Sequence, residues 1–260
     1  MTTSERTSTD TMAARVAGGE REMATNGKES KMKPTAPKLI RWTGLSAMAA
    51  GISYVVLGMF HPHNILSSVT TTQWAILHVL AIAMCFFGIL GMAGLYARQA
   101  EKSGWLGLAG FLLLSLWFAF ILGFSFVETF ILPPLATEAP KFVDGFLGMF
   151  TSTASEMNLG SLPTIWTLTA PLYMLGGLLF GIATFRAGIL PRWAGGLFVI
   201  GTALAPVAAL LPLEHQPKVA VPVGIALAWL GYALWSERRE QASDLAPGKE
   251  SPKLRRTAAE

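Results

Sequence analysis

Six long apolar segments, separated by short polar stretches, make up most of the chain. Each is close to the roughly 20 residues that a helix needs to cross a hydrocarbon layer about 30 Å thick. None has the polar face of a helix on a soluble protein, and none alternates like a barrel strand. The pattern predicts an all-α integral membrane bundle of six transmembrane helices, at residues 39–60, 74–96, 105–130, 164–185, 193–211 and 219–236.

Composition supports a membrane location. Hydrophobic residues make up 52% of the chain and charged residues only 14%, whereas soluble domains carry about 25% charged residues. No Asp, Glu, Lys or Arg occurs between Arg41 and Arg98, a distance long enough for two crossings. The chain has a single cysteine, Cys85, which lies inside the second segment. Because there is only one, an intrachain disulfide and a thiol-rich metal site are excluded.

Basic residues alternate from one side of the predicted bundle to the other. Eighteen of the 20 Lys and Arg fall in the two ends of the chain and in the loops after the second and fourth segments, and only Lys141 and Lys218 fall on the other side. The positive-inside rule therefore predicts a multi-pass plasma-membrane protein with both termini cytoplasmic. Tryptophans near segment ends agree with this orientation: Trp42, Trp105, Trp193 and Trp235 at inner ends, and Trp74 and Trp166 at outer ends.

Both ends of the chain are polar. Residues 1–38 form a basic leader and residues 237–260 a tail, and we expect both to be disordered and cytoplasmic. The first apolar segment is too long for a signal-peptide core, so we expect a retained anchor and no cleavable signal. The lipid bilayer is the expected partner, with anionic lipids at the basic leader; no nucleic-acid partner is expected, and protein partners stay unidentified.

The outer loop at residues 133–163 contains a further pattern. Phe142, Phe146, Met149 and Phe150 recur at helical spacing. This spacing predicts a short interfacial helix over residues 141–150, with a plain loop as the alternative.

Ionisable residues inside a membrane are costly and therefore mark candidate functional sites. His78 lies about 6 Å below Trp74 along the second helix, and Glu128 about 7.5 Å before Pro133 in the third. Because these two helices form a tight hairpin, their polar groups can meet at a similar depth. His61 and His63 follow the first helix on the same side.

Imidazole and carboxylate groups together suit zinc or copper, and they also suit proton transfer. The candidate metal ligands are His78, Glu128, His61 and His63. Haem ligation is a further alternative, although only His78 is clearly within a helix. The competing interpretation is structural: His78 bonds a neighbouring helix, Glu128 reaches water, and His61 and His63 cap the first helix. The sequence identifies no catalytic residue.

Three runs resemble a family of uncharacterised bacterial six-helix multi-pass membrane proteins. They are GLYARQAEKSGWLGLAG at 94–110, LFGIATFRAGILPRWAG at 179–195 and AWLGYALW at 228–235. The resemblance covers most of residues 39–236 and implies a bacterial plasma-membrane protein. It implies no activity, cofactor or catalytic residue.

These observations favour a non-enzymatic sensory or accessory membrane protein with a shallow polar pocket on its outer face. The first alternative is a redox protein or enzyme that binds a metal or haem at the extracytoplasmic face. The second is a small-molecule permease, for which Pro171 and Pro206 could interrupt the fourth and fifth helices.

Overall fold

A computed structural model describes residues 36–244, with side chains described for residues 39–236. The chain divides into two units, Met1–Leu39 and Ile40–Glu260, and all cavities and packing contacts below lie within the second. The predicted leader lies almost wholly outside the described residues, as does the tail beyond Asp244.

The described part of the chain is helical and contains no strand. Its α-helices are α1 (Ala36–Phe60), α2 (Leu66–Val69), α3 (Thr72–Phe126), α4 (Leu132–Glu138), α5 (Pro140–Thr151), α6 (Leu162–Ala187), α7 (Arg192–Ala203), α8 (Ala205–Ala208) and α9 (Val221–Asp244). A π-helical turn, Val127–Ile131, joins α3 to α4, and a 3-10 turn, Gln216–Ala220, precedes α9.

Four helical stretches are long and apolar enough to cross a membrane: Leu39–Phe60, Thr72–Glu138, Leu162–Ala187 and Gln216–Ser236. They contain five of the six predicted segments, because Thr72–Glu138 includes both the second and the third. This supports a membrane protein built from apolar helices.

The long helix α3 turns back on itself at Gly104, which has a non-helical backbone with φ 53° and ψ −147°. Only glycine adopts such a conformation without a steric penalty. Residues 72–103 form its first arm and residues 105–126 its second. The rings of Tyr96 and Phe111 stack across the two arms at 5.2 Å, so the arms pack against each other in antiparallel directions.

Helices that are neighbours in the sequence make close contacts through glycine. Gly91 of the first arm of α3 lies against Ala47 of α1, and Gly110 of the second arm lies against Phe180 of α6. Further along, Gly177 of α6 lies against Thr202 of α7, and Gly201 of α7 lies against Val223 of α9. Where helices associate in lipid, such small residues allow the close van der Waals packing that holds them together.

Helices α1 and α9 close this ring. Gly51 lies against the backbone of Gly224 and Ala228, and Gly231 lies against that of Gly44 and Met48. The glycines of α1 recur every seven residues, as do those of α9. A side chain at these positions would separate the two helices.

The predicted short helix in the 133–163 loop is present as α5. Phe146 is fully buried, and Phe142, Met149 and Phe150 are half-buried around it. They form a cluster with Phe124 at the end of α3 and Trp166 in α6. The apolar face of α5 therefore rests on the helix bundle.

Four sequence expectations need correction. The predicted segment 193–211 is not one continuous helix, because α7 ends at Ala203 and Pro206 lies in the short helix that follows. Pro171, by contrast, lies inside an unbroken α6. Trp74 is not a belt residue exposed to lipid; it is fully buried. The last helix also continues to Asp244, past the predicted end at Ser236.

Candidate functional site

A cavity of about 390 Å³ lies at the end of the bundle opposite Gly104. The end of α1, the start of α3 and the end of its second arm form its walls, and the 3-10 turn before α9 closes one side. It is lined by Tyr54, Leu57, Gly58, His61, Asn64, His78, Ala81, Met84, Ile121, Phe124, Ser125, Glu128, Phe150, Trp166, Gln216, Pro217 and Ala220. Its volume lies in the range typical of small-molecule sites.

His78 is fixed by the first turns of α3. The Thr71 hydroxyl accepts a hydrogen bond from the Trp74 N–H at 3.2 Å and caps the helix. The His78 ring stacks on the Trp74 ring at 4.0 Å, and its Nδ1 donates to the Trp74 carbonyl at 2.8 Å. Because a carbonyl can only accept, the Nδ1 atom carries a proton, so in the neutral tautomer Nε2 is the acceptor.

Glu128 lies in the π-helical turn. Pro133 and Pro134 have no N–H group, so the carbonyls of the preceding turn lose their usual partners. The Leu132 N–H donates to the Val127 carbonyl, five residues back, rather than to the Glu128 carbonyl four residues back. Such turns often occur at functional sites, where they redirect a side chain. The Trp74 indole N–H donates to the Glu128 carbonyl at 2.8 Å, which ties this turn to the first arm of α3.

The predicted neighbours His78 and Glu128 do face each other. His78 Nε2 lies 3.6 Å from Glu128 Oε1, and the residues are 2% and 7% exposed. This distance is too long for a direct hydrogen bond. His78 Nε2 has no hydrogen-bond partner although it is buried. An unpaired buried acceptor is costly, so the atom is available to an occupant of the cavity.

His61 joins this pair at the end of α1. Its ring meets the His78 ring edge to face at 5.3 Å, and its Nδ1 donates to the Pro62 carbonyl at 2.8 Å. Burial lowers the pKa of His61 below its ordinary value of 6.5; neighbouring His78 lowers it further, and Glu128 opposes the shift. His61 is therefore neutral at pH 7, with Nε2 as a second acceptor.

Sequence reasoning missed several polar lining residues. Asn64 has a buried Oδ1 without a hydrogen-bond partner. Gln216 donates from Nε2 to the Leu211 carbonyl at 3.1 Å. Ser125 lies about one helical turn before Glu128. Helical spacing could therefore have predicted that Ser125 and Glu128 face the same side. Asn64 and Gln216 lie in turns, where the sequence has no periodic pattern from which the direction of a side chain can be predicted.

His63 lies next to the cavity rather than in it. It lines a second cavity of about 180 Å³, which also includes His61, Asn64 and Gln216. Both cavities therefore share part of one wall. His215, the remaining histidine, is exposed beside Lys218 and Glu214, at 2.9 Å and 3.9 Å.

The structure thus brings together three of the four candidate metal ligands, His61, His78 and Glu128, and places His63 beside them. Within residues 39–236, no group of three or more His, Cys, Asp or Glu side chains is arranged to hold a metal ion. Zinc, copper or haem ligation stays a prediction from the sequence. Comparison of the chain with known protein families, curated proteins and solved structures finds no match.

Proposed function

We propose that this chain is a plasma-membrane protein that crosses the bilayer six times, with both termini in the cytoplasm. In this arrangement the cavity opens in the outer half of the membrane. The protein acts there as a non-enzymatic sensory or accessory protein by binding a small molecule.

Two features support six crossings. The two arms of α3 run in opposite directions from Gly104, so the stretch Thr72–Glu138 counts as two crossings. The stretch from α7 through α8 counts as one bent crossing. With six crossings, the loop residues Arg98, Lys102, Arg186 and Arg192 all fall on the cytoplasmic side, as the positive-inside rule requires.

The observation that carries the binding function is the unpaired His78 Nε2 at the cavity wall. A buried polar atom without a hydrogen-bond partner costs roughly 1–3 kcal/mol of stability. Such an atom is therefore expected where a group from outside the chain supplies the missing hydrogen bond. The surrounding wall is mainly apolar and aromatic, with a few convergent polar groups. This combination is typical of small-molecule sites.

Filling the cavity tests the proposal. Ala81 lines the cavity, whereas Ala75 is exposed on the same arm of α3. We expect small aromatic probes to raise the unfolding temperature of the parent protein in nanodiscs; the probes are 2-phenylethanol, 2-phenylethylamine and phenylacetate. The shift should disappear in Ala81→Phe and persist in the matched control Ala75→Phe. If no probe shifts the parent, or if both variants respond like the parent, the proposal is wrong.

A further inference from the structure

The cavity presents several hydrogen-bond acceptors. The acceptors include Nε2 of His61 and of His78, since the ring protons of both are held by backbone carbonyls. Asn64 contributes a buried Oδ1 without a partner. Gln216 donates one of its two amide N–H groups to the Leu211 carbonyl, and its side-chain oxygen is a further acceptor.

The charge of the cavity has one sign. Glu128 contributes a carboxylate, and no Lys or Arg is among the residues that line this cavity. A buried carboxylate requires a partner that supplies charge and hydrogen-bond donors. His78 does not supply such a hydrogen bond, because its Nε2 lies 3.6 Å from Glu128 Oε1. An occupant with positive charge and N–H groups would supply the charge and the donors that this part of the cavity lacks.

The spacing suits a single ammonium group. His78 Nε2 and Glu128 Oε1 are 3.6 Å apart, and the two imidazole rings are 5.3 Å apart. A primary ammonium has three hydrogens that point in different directions, so it can donate to several acceptors that surround it. One such group beside this pair, at hydrogen-bond distance from both Glu128 Oε1 and His78 Nε2, would give the carboxylate a counterion and the orphaned nitrogen a donor.

The rest of the cavity suits an apolar body attached to that ammonium. Trp166 packs edge to face on Phe150 at 4.6 Å and on Phe124 at 5.3 Å. This aromatic wall comes from α3, α5 and α6, and it offers an apolar surface to the rest of the ligand.

We propose that the cavity binds a small organic cation of the primary-amine class, with its ammonium in contact with both Glu128 Oε1 and His78 Nε2 and its apolar body against Phe124, Phe150 and Trp166. This inference rests on the proposed function, because it assumes that the cavity is a ligand site. It adds the charge and hydrogen-bonding character of the ligand.

Three matched probes test the ligand class by titration calorimetry of the parent protein in nanodiscs. The probes are 2-phenylethylamine, its neutral analogue 2-phenylethanol, and the trimethylammonium analogue of the amine, which has the charge without N–H donors. We expect the amine to bind about tenfold or more tightly than either analogue, since each lacks a charge-assisted hydrogen bond. Equal binding of the amine and the alcohol would overturn the cation proposal and leave the binding function standing.

The variant Glu128→Gln should reduce the affinity for the amine by about tenfold or more and leave 2-phenylethanol unchanged. Glu138→Gln is the matched control, because Glu138 is exposed, and it should not alter either affinity. If Glu128→Gln does not fold, the comparison of the three probes on the parent protein still tests the cation proposal. Preferred binding of phenylacetate would contradict the proposal. So would stabilisation by Zn²⁺ alone that is lost in His78→Gln. No binding of any probe would reject the proposed function as well.

Discussion

At the scale of single residues, His61 should respond to pH. The groups that face it are His78, Glu128 and His63, and the net effect of burial and these neighbours is a pKa below 6.5. The unfolded chain therefore takes up a proton near pH 6.5 while the folded protein does not. The contribution of His61 to stability is present above pH 6.5 and falls as the pH falls from 6.5 through the lowered pKa of the folded state.

The expected result is a lower unfolding temperature as the pH is reduced from about 7.5 to about 5. The variant His61→Gln should show a weaker pH dependence than the parent, because it lacks the titrating group. His215→Gln serves as the control, since His215 is exposed. Thermal unfolding in nanodiscs across this pH range measures the difference, and equal slopes for the parent and His61→Gln would contradict the prediction.

Part of the site could be predicted from single residues. The helical rise places His78 and Glu128 at similar depths from Trp74 and Pro133, and the structure brings their side chains to 3.6 Å. The burial of Trp74 could not be predicted in this way. A tryptophan near a helix end is equally compatible with a lipid interface and with a buried position, and only the tertiary contact with Glu128 decides between them.

At the scale of secondary-structure elements, α5 depends on Phe146. Its ring lies 6.0 Å from that of Phe124 and 5.6 Å from that of Phe150, and it is fully buried. Phe146→Asp should destabilise the protein by at least about 3 kcal/mol, because it removes a large buried ring and introduces an unpaired carboxylate.

Half-buried Phe142 provides the matched control on the same helix, and Phe142→Asp should cost clearly less. Thermal unfolding together with the mobility of spin labels along α5 measures both effects. Equal losses in the two variants, or labels already fully mobile in the parent, would show that α5 is not held by Phe146.

The contact between α1 and α9 gives a second test at this scale. A Cβ added at Gly51 would collide with the backbone of Ala228 and Gly224, whereas nothing lies within 4 Å of a Cβ added at Gly123 in α3. Gly51→Ala should therefore destabilise by about 1–3 kcal/mol. Gly123→Ala should be neutral or slightly stabilising, since alanine favours a helix. Thermal unfolding of the two variants tests this, and a neutral Gly51→Ala would mean that the helices separate without cost.

Helix positions could largely be predicted, and helix interruptions could not. The first predicted segment, 39–60, coincides with the membrane-length part of α1. Spacing of phenylalanines predicts α5. The presence of a proline did not predict whether a helix is interrupted. Pro171 lies within an intact helix, whereas α7 ends before Pro206. The difference depends on whether neighbouring groups satisfy the freed carbonyls, which the sequence alone does not indicate.

At the scale of the whole molecule, the six-crossing arrangement makes a direct prediction. Reporter fusions after residue 240 and within residues 97–104 should report a cytoplasmic location, and fusions near Glu138 an outer one. The reason is the strong bias of Lys and Arg toward one side. Paired cytoplasmic and periplasmic reporters at each site give opposite signals and so control for expression. A periplasmic signal from the fusion after residue 240 would reject the arrangement.

The glycine contact between α1 and α9 also constrains how the protein is made. Among the described helices, α1 is synthesised first, and α9, which packs against its glycine face, is synthesised last. Until α9 is made, Gly44 and Gly51 lack the helix that packs against them. Ribosome stalling before α9 would therefore leave a bundle with an unfilled seam along α1. Co-expression of α9 as a separate peptide should close that seam and restore the full-length fold.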